Sequence, residues 1–121
     1  MPRILIVDDE PDVRELVETL LAAPDRQIEG ADGGREALER LAADHFDLVV
    51  SDLRMPEVDG IQIYRAIQQR PAPRPALLFM SGFTNAAEFV PFLREASTPV
   101  VAKPFDVPEL RRQVACLLGE T

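Results

Sequence analysis

Four short stretches carry residue types that could do chemistry together: Asp8-Asp9-Glu10, Asp52, Ser81-Gly82 and Lys103-Pro104. Each follows an apolar run, so each ends a stretch of chain that wants to be buried. Brought together, the carboxylates of Asp8, Asp9 and Asp52 repel one another. Two charges ~5 Å apart at an effective dielectric of ~20 cost roughly 3 kcal/mol. A divalent cation relieves that cost, and oxygen-only ligands select Mg²⁺ over zinc or copper. Lys103 adds an ammonium and Ser81 a hydroxyl. A carboxylate, a hard metal, an ammonium and a hydroxyl can hold a phosphoryl group in transit, because that transfer depends on positioning and charge neutralisation. Asp52 is the best nucleophile in the set, since a carboxylate can form an aspartyl phosphate.

These residues meet only if the elements before them lie side by side. Arg3 to Val7 is a continuous apolar, β-branched run of the kind buried in a parallel sheet. Pro11 opens a helix with Val13, Leu16, Val17, Leu20 and Leu21 on one face, and Pro24 ends it. Gln27 to Ala31 is a weak second strand, and Asp32-Gly33-Gly34 leads into a helix carrying Ala37, Leu38 and Leu41. Asp47 to Ser51 is a third strand. A helix with Ile61, Tyr64, Ala66 and Ile67 follows Asp59-Gly60, and Pro71, Pro73 and Pro75 make an extended connector. Ala76 to Met80 is a fourth strand, Asn85 to Ala96 a fourth helix containing Pro91, and Pro99 to Ala102 a fifth strand. The last helix, Asp106 to Leu118, begins with a capping-box-like Asp106/Glu109 pair and presents Val107, Leu110, Val114 and Leu117. Alternating strands and helices predict a parallel sheet with right-handed crossovers and helices on both faces. Such sheets bind ligands at the carboxyl ends of their strands.

Composition narrows the partners. The chain has 121 residues, 46% hydrophobic and 28% charged, which suits one globular domain over 1–121 with no output domain. Asp and Glu number 21 against 13 Lys and Arg, a net charge of −8. This argues against nucleic acid and anionic membrane surfaces as partners. No apolar run approaches the ~18 residues of a membrane span, and the N-terminal run is too short for a signal peptide. A single cysteine, Cys116, excludes an internal disulfide and a cysteine-based zinc site, and reads as a small core or boundary residue. His45, in a loop, reads as a surface residue, and Tyr64 as helix packing. A cytoplasmic location is the expectation.

The motifs Ile4-Leu-Ile-Val-Asp8-Asp9-Glu10, Asp52-Leu-Arg54-Met55-Pro56-x-x-Asp59-Gly60, Phe79-Met-Ser81-Gly82 and Val101-Ala-Lys103-Pro104-Phe105 occur in this order at the ends of the expected strands. Together they resemble the response-regulator receiver domain of two-component signalling, over Arg3 to Leu118. The resemblance implies a flavodoxin-like (βα)5 fold, a doubly wound α/β sheet of five parallel strands in the order 2-1-3-4-5. It implies that Asp52 accepts the phosphoryl group. It implies that Asp9 ligates Mg²⁺ directly, that Asp8 acts mostly through water, and that Asp52 and the backbone carbonyl of Arg54 complete the protein's ligands. Ser81 resembles the hydroxyl that closes on the phosphoryl group and Lys103 its ion-pair partner, with a cis bond before Pro104. The implied partners are a sensor histidine kinase or histidine phosphotransfer protein and a downstream protein or attached domain. Homodimerisation is left open. The stretch from Arg74 to Phe83 resembles receivers attached to hybrid histidine kinases.

Three positions depart from the family pattern. Val100 stands where many receivers carry the Tyr or Phe that changes rotamer on activation. Pro91 predicts a kinked, shifted or shortened fourth helix, with Phe89, Phe92 and Leu93 repacking around it. Arg54 and Phe83, two residues past Asp52 and Ser81, suggest slow loss of the phosphoryl group. Rival readings fare less well. An aspartyl phosphatase would usually carry a second acid where Arg54 stands, and a flavin binder would want a phosphate-binding loop where Asp8-Asp9-Glu10 would repel it. The runner-up is a degenerate receiver that binds partners without phosphorylation. The chain reads as a signalling switch rather than an enzyme.

Overall fold

The computed structural model describes residues 1–82 and 86–120, with the backbone alone for 86–90. The elements alternate: β1 (Arg3–Val7), α1 (Pro11–Leu21), β2 (Gln27–Ala31), α2 (Gly34–Ala43), β3 (Leu48–Asp52), α3 (Gly60–Gln68), β4 (Ala76–Ser81), α4 (Ala86–Ala96), β5 (Val100–Ala102) and α5 (Val107–Leu117). All strand pairs are parallel, in the order β2-β1-β3-β4-β5. This is the flavodoxin-like arrangement.

The period-2 alternation of side chains divides the apolar strand residues between two faces. Ile4, Ile6, Leu48, Val50, Leu78 and Met80 pack against Val17 and Leu21 of α1 and Leu110 and Val114 of α5. Leu5, Val7, Val49, Leu77 and Phe79 pack against Ala37 and Leu41 of α2 and Ile63 and Ile67 of α3, with Phe92 and Leu93 of α4 partly buried beside them. Burying a Leu or Ile side chain is worth about 1.5–3 kcal/mol, so both layers hold the strand ends at one edge. β2 lies at the edge of the sheet and is only partly covered, which accounts for its weak apolar pattern.

Several boundaries and exposures differ from the sequence reading. Asp52 and Ser81 are the last residues of β3 and β4 rather than the first after them. The ladder continues through them, pairing Asp52 with Met80 and Ser81 with Ala102. Leu16 is 48% exposed although it shares helical spacing with buried Val17 and Leu21. Its apolar stripe is wider than the surface α1 covers. Cys116 is exposed, because α5 turns Leu110 and Val114 to the core instead. Asp106 accepts a hydrogen bond from the Glu109 N–H, but Glu109 turns its own carboxylate to Arg112 and Gln113. The reciprocal capping box occurs instead at α3, between Asp59 and Gln62.

α4 runs from Ala86 to Ala96 without a break at Pro91. The helix is therefore not shortened there, and Asn85 lies outside the described residues. Pro91 has no N–H for the carbonyl of Ala87, but it is exposed, and on an exposed face a carbonyl that lost its donor can turn to water. Phe83 also lies outside the described residues, as does the side chain of Phe89. Among the described residues, no helix is long and apolar enough to cross a membrane.

Candidate functional site

The carboxyl edge of the sheet brings together the ends of β1, β3, β4 and β5. Asp8 follows β1 directly and keeps the ladder going by donating its N–H to the Ala31 carbonyl at 3.3 Å. Its side chain is fully buried. A buried carboxylate needs partners. Asp8 Oδ1 accepts the Glu10 N–H at 2.9 Å, and Oδ2 accepts Lys103 Nζ at 3.0 Å. Asp52, only 5% exposed, accepts Lys103 Nζ on Oδ2 at 3.0 Å and the Arg54 N–H on Oδ1 at 3.5 Å. Asp9 is exposed, and its carboxylate has no hydrogen-bond partner among the described residues.

One oxygen from each of Asp8, Asp9 and Asp52 lies within 4.8 Å of the others. Lys103 is the single cation bonded to this group among the described residues, and it reaches Asp8 and Asp52 but not Asp9. The donor set is all oxygen and doubly anionic after the lysine is counted, the chemistry of a hard divalent cation. Burial holds the carboxyl of Asp52 above its usual range, and Asp8 adds to this, while Lys103 pulls the other way. Burial alone would lower the Lys103 ammonium, but its hydrogen bonds to Asp52 and Asp8 raise it. The two shifts are compatible: the lysine has two anionic partners, and each carboxylate has only a share of one lysine.

Ser81 is 4% exposed and donates its hydroxyl to the Gly82 carbonyl at 3.1 Å. The Lys103 N–H donates to the Ser81 carbonyl at 2.8 Å, which places the lysine's main chain alongside the end of β4. The Lys103–Pro104 peptide bond is cis. A cleft of about 580 Å³ opens here, lined by Asp9, Glu10, Asp52, Arg54, Gly82 and Lys103 among others.

The loop from β3 to α3 forms the cleft's side wall. Glu57 has a left-handed φ of 66°, and the Asp59–Gln62 capping box ends the loop. Two glycines let it sit close. A Cβ on Gly34 would lie 2.2 Å from the Val58 carbonyl oxygen, and one on Gly60 would lie 2.8 Å from the buried ring of Phe79.

Val100 is 36% exposed at the start of β5 and pairs with Phe79. Rings occur on the neighbouring elements instead: Phe92 of α4 packs edge-on against Phe79 of β4 at 5.7 Å and against Tyr64 of α3 at 5.2 Å. His45 is exposed beside Asp47, away from the cleft. Sequence reasoning missed Arg14, whose guanidinium donates to the Asp8 carbonyl at 2.9 Å. Its only signal was a basic residue early in α1, close in sequence to the paired acids.

Comparison with known proteins agrees with this geometry. Residues 4–115 match the model of the response regulator receiver domain. The chain is 39% identical over 108 residues to the regulatory protein AtoC of Escherichia coli, covering 89% of this chain and 23% of AtoC. It is 34% identical to the response regulator MprA of Mycolicibacterium vanbaalenii, covering 98% of this chain and 51% of MprA. The chain thus spans about a quarter to a half of the length of these curated relatives. The solved structure of the response regulator TrrA of Thermotoga maritima, in complex with Mg²⁺-BeF, superposes with a TM-score of 0.84 at 30% identity, covering 98% of this chain and 100% of that one. With the acid cluster, the lysine and the 2-1-3-4-5 sheet already in place, these matches make the chain a member of the response regulator receiver domain family.

Proposed function

We propose that this receiver takes a phosphoryl group onto Asp52 from a phosphohistidine of a sensor kinase or phosphotransfer protein, in a Mg²⁺-dependent step. The observation that carries the reading is the charge imbalance at the strand ends: Asp8, Asp9 and Asp52 lie together, and among the described residues Lys103 is the one cation bonded to them. An Asp52 carboxylate oxygen attacks phosphorus as the P–N bond of the donor breaks, and the imidazole leaves with a proton. Asp8, Asp9, Asp52 and the Arg54 carbonyl would hold Mg²⁺, which supplies neutralisation of the phosphoryl oxygens. Lys103 exchanges its bond to Asp52 for one to the new phosphoryl group. Ser81 turns its hydroxyl from the Gly82 carbonyl to the same group.

The added charge shifts a two-state equilibrium in the cleft loops and α4. Because Val100 offers no ring to bury, the shift passes through the packing of β4 on α4. A downstream protein or an attached domain reads it. The receiver is a switch that catalyses only its own modification, and it works in the cytoplasm. Arg54, beside the cleft, slows access of water to the aspartyl phosphate. A phospho-form lifetime of only seconds contradicts that last point.

The test is intact mass after incubation with Mg²⁺ and acetyl phosphate, with Asp52→Ala alongside. One phosphoryl adduct on the parent and none on the variant supports the reading. The second reading, a receiver that binds partners without phosphorylation, is favoured by Val100 alone. It requires that the parent show neither adduct nor Mg²⁺ binding.

A further inference from the structure

Asp8 and Asp9 are adjacent in sequence but held in different ways. The Asp8 side chain is fixed by Lys103 and the Glu10 N–H. Asp9 has no side-chain partner among the described residues, so in the metal-free protein its aim is set by its backbone. The peptide plane entering Asp9 contains the carbonyl of Asp8. That carbonyl accepts Arg14 Nη1 at 2.9 Å.

Arg14 reaches it because of the neighbouring strand. Gly30 of β2 lies beside Ile6, two residues before Asp8. A Cβ on Gly30 would sit 3.1 Å from Arg14 Cδ and 2.2 Å from a Glu18 carboxylate oxygen. The missing side chain leaves a channel along which the half-buried Arg14 lies, from α1 across the sheet edge to the end of β1.

We infer that Arg14 is a positioning residue for the metal site: by holding the Asp8 carbonyl it fixes the peptide plane from which Asp9 projects toward the cation. The inference rests on the magnesium reading above. It also makes a prediction opposite in sign to simple electrostatics. Removing a cation beside three carboxylates should tighten Mg²⁺ binding if charge alone matters. Loss of a residue that orients a ligand weakens it, typically by about tenfold or more.

The test is Mg²⁺ titration by calorimetry on the parent, Arg14→Met, Gly30→Ala and Arg40→Met, with amide exchange at Asp9 in the metal-free proteins. Arg14→Met is expected to bind Mg²⁺ about tenfold more weakly and to exchange faster at Asp9. Gly30→Ala keeps the charge but displaces the Glu18 carboxylate and crowds the Arg14 stem; it is expected to weaken binding a few fold, and it keeps the idea testable should Arg14→Met fail to fold. Arg40→Met removes a comparably buried arginine that bonds Glu29 away from the cleft, and is expected to leave affinity unchanged. Unchanged or tighter binding in both Arg14→Met and Gly30→Ala overturns the inference, as does an equal loss in Arg40→Met. No binding by the parent overturns the magnesium reading and this inference with it.

Discussion

Two clusters on this molecule each gather three carboxylates around basic side chains and do opposite things with their charge. At the carboxyl edge, Asp8 and Asp52 share Lys103, and Asp9 has no ion partner among the described residues. On the β1–β2 side, Glu29 is bonded by both Arg3, at 2.6 Å, and Arg40, which also reach Asp44 at 3.8 Å and Glu36 at 3.6 Å. Arg3 stacks over the Phe46 ring at 4.7 Å as well. The two central acids are shifted in opposite directions. Burial holds Asp52 above its ordinary range, whereas the Arg3 and Arg40 contacts hold Glu29 below its own. The second cluster is a surface network in which every acid has an arginine partner, two arginines serving three acids. The first is short of positive charge, and an acid cluster left short at the ligand-binding edge of an α/β sheet is arranged for something that arrives.

Removing the single ammonium should expose this difference most. Lys103→Met is expected to destabilise the metal-free protein by about 3 kcal/mol, the scale for leaving buried charge unpaired, with Mg²⁺ returning much of it. Urea unfolding with and without Mg²⁺ measures both. A loss no larger than that of Arg40→Met would erase the contrast between the clusters.

Mg²⁺ itself should act on one cluster only. At a hundred times its Kd it should add about 2.7 kcal/mol to the stability of the parent. Arg40→Met should gain as much, and Asp9→Asn much less. Thermal melts across a Mg²⁺ series decide this, and equal gains in all three proteins would mean that the cation is not held by these acids.

The smaller effects differ in sign. Asp52→Asn is expected to stabilise the metal-free protein by ~1–2 kcal/mol, since part of a ~3 kcal/mol repulsion disappears while Lys103 keeps Asp8. Glu29→Gln is expected to destabilise by ~0.5 kcal/mol, the size of a partly exposed ion pair. Their pH dependences run in opposite directions. Because Asp52 has a raised folded pKa, the native state binds more protons than the unfolded chain between the two pKa values. The cost of its charge is therefore relieved as pH falls through the folded pKa. Because Glu29 has a lowered one, its contribution is full above the unfolded pKa and lost as pH falls through the folded pKa. Differences between variant and parent stability, followed from pH 7 downward at roughly constant salt, should converge for both pairs but from opposite sides. Convergence from the same side would contradict the assignment of either acid.

The residues themselves show what was legible. Apolar runs ending on Asp8, Asp52 and Lys103 are local patterns, because burial of a strand and a polar group at its end are both written in a few consecutive residues. Those patterns were enough to name the residues that meet at the strand ends and the parallel α/β class. The strand order came from the resemblance to a family, since periodicity does not say which strand neighbours which.

Only the tertiary structure decided the partnerships. Lys103 is 95 residues from Asp8, and they meet because β5 and β1 lie in one parallel sheet. Arg14 touches the Asp8 carbonyl because the glycine of β2 stands beside β1. Leu16 and Cys116 are exposed because the width of a helix's covered face depends on its neighbours, not on its own spacing. Pro91 continues a helix because its exposed side tolerates a missing donor. Sequence determines which residues seek burial and which carry charge. Which charge answers which is a property of chain crossings, and these depend on contacts between residues far apart in the chain.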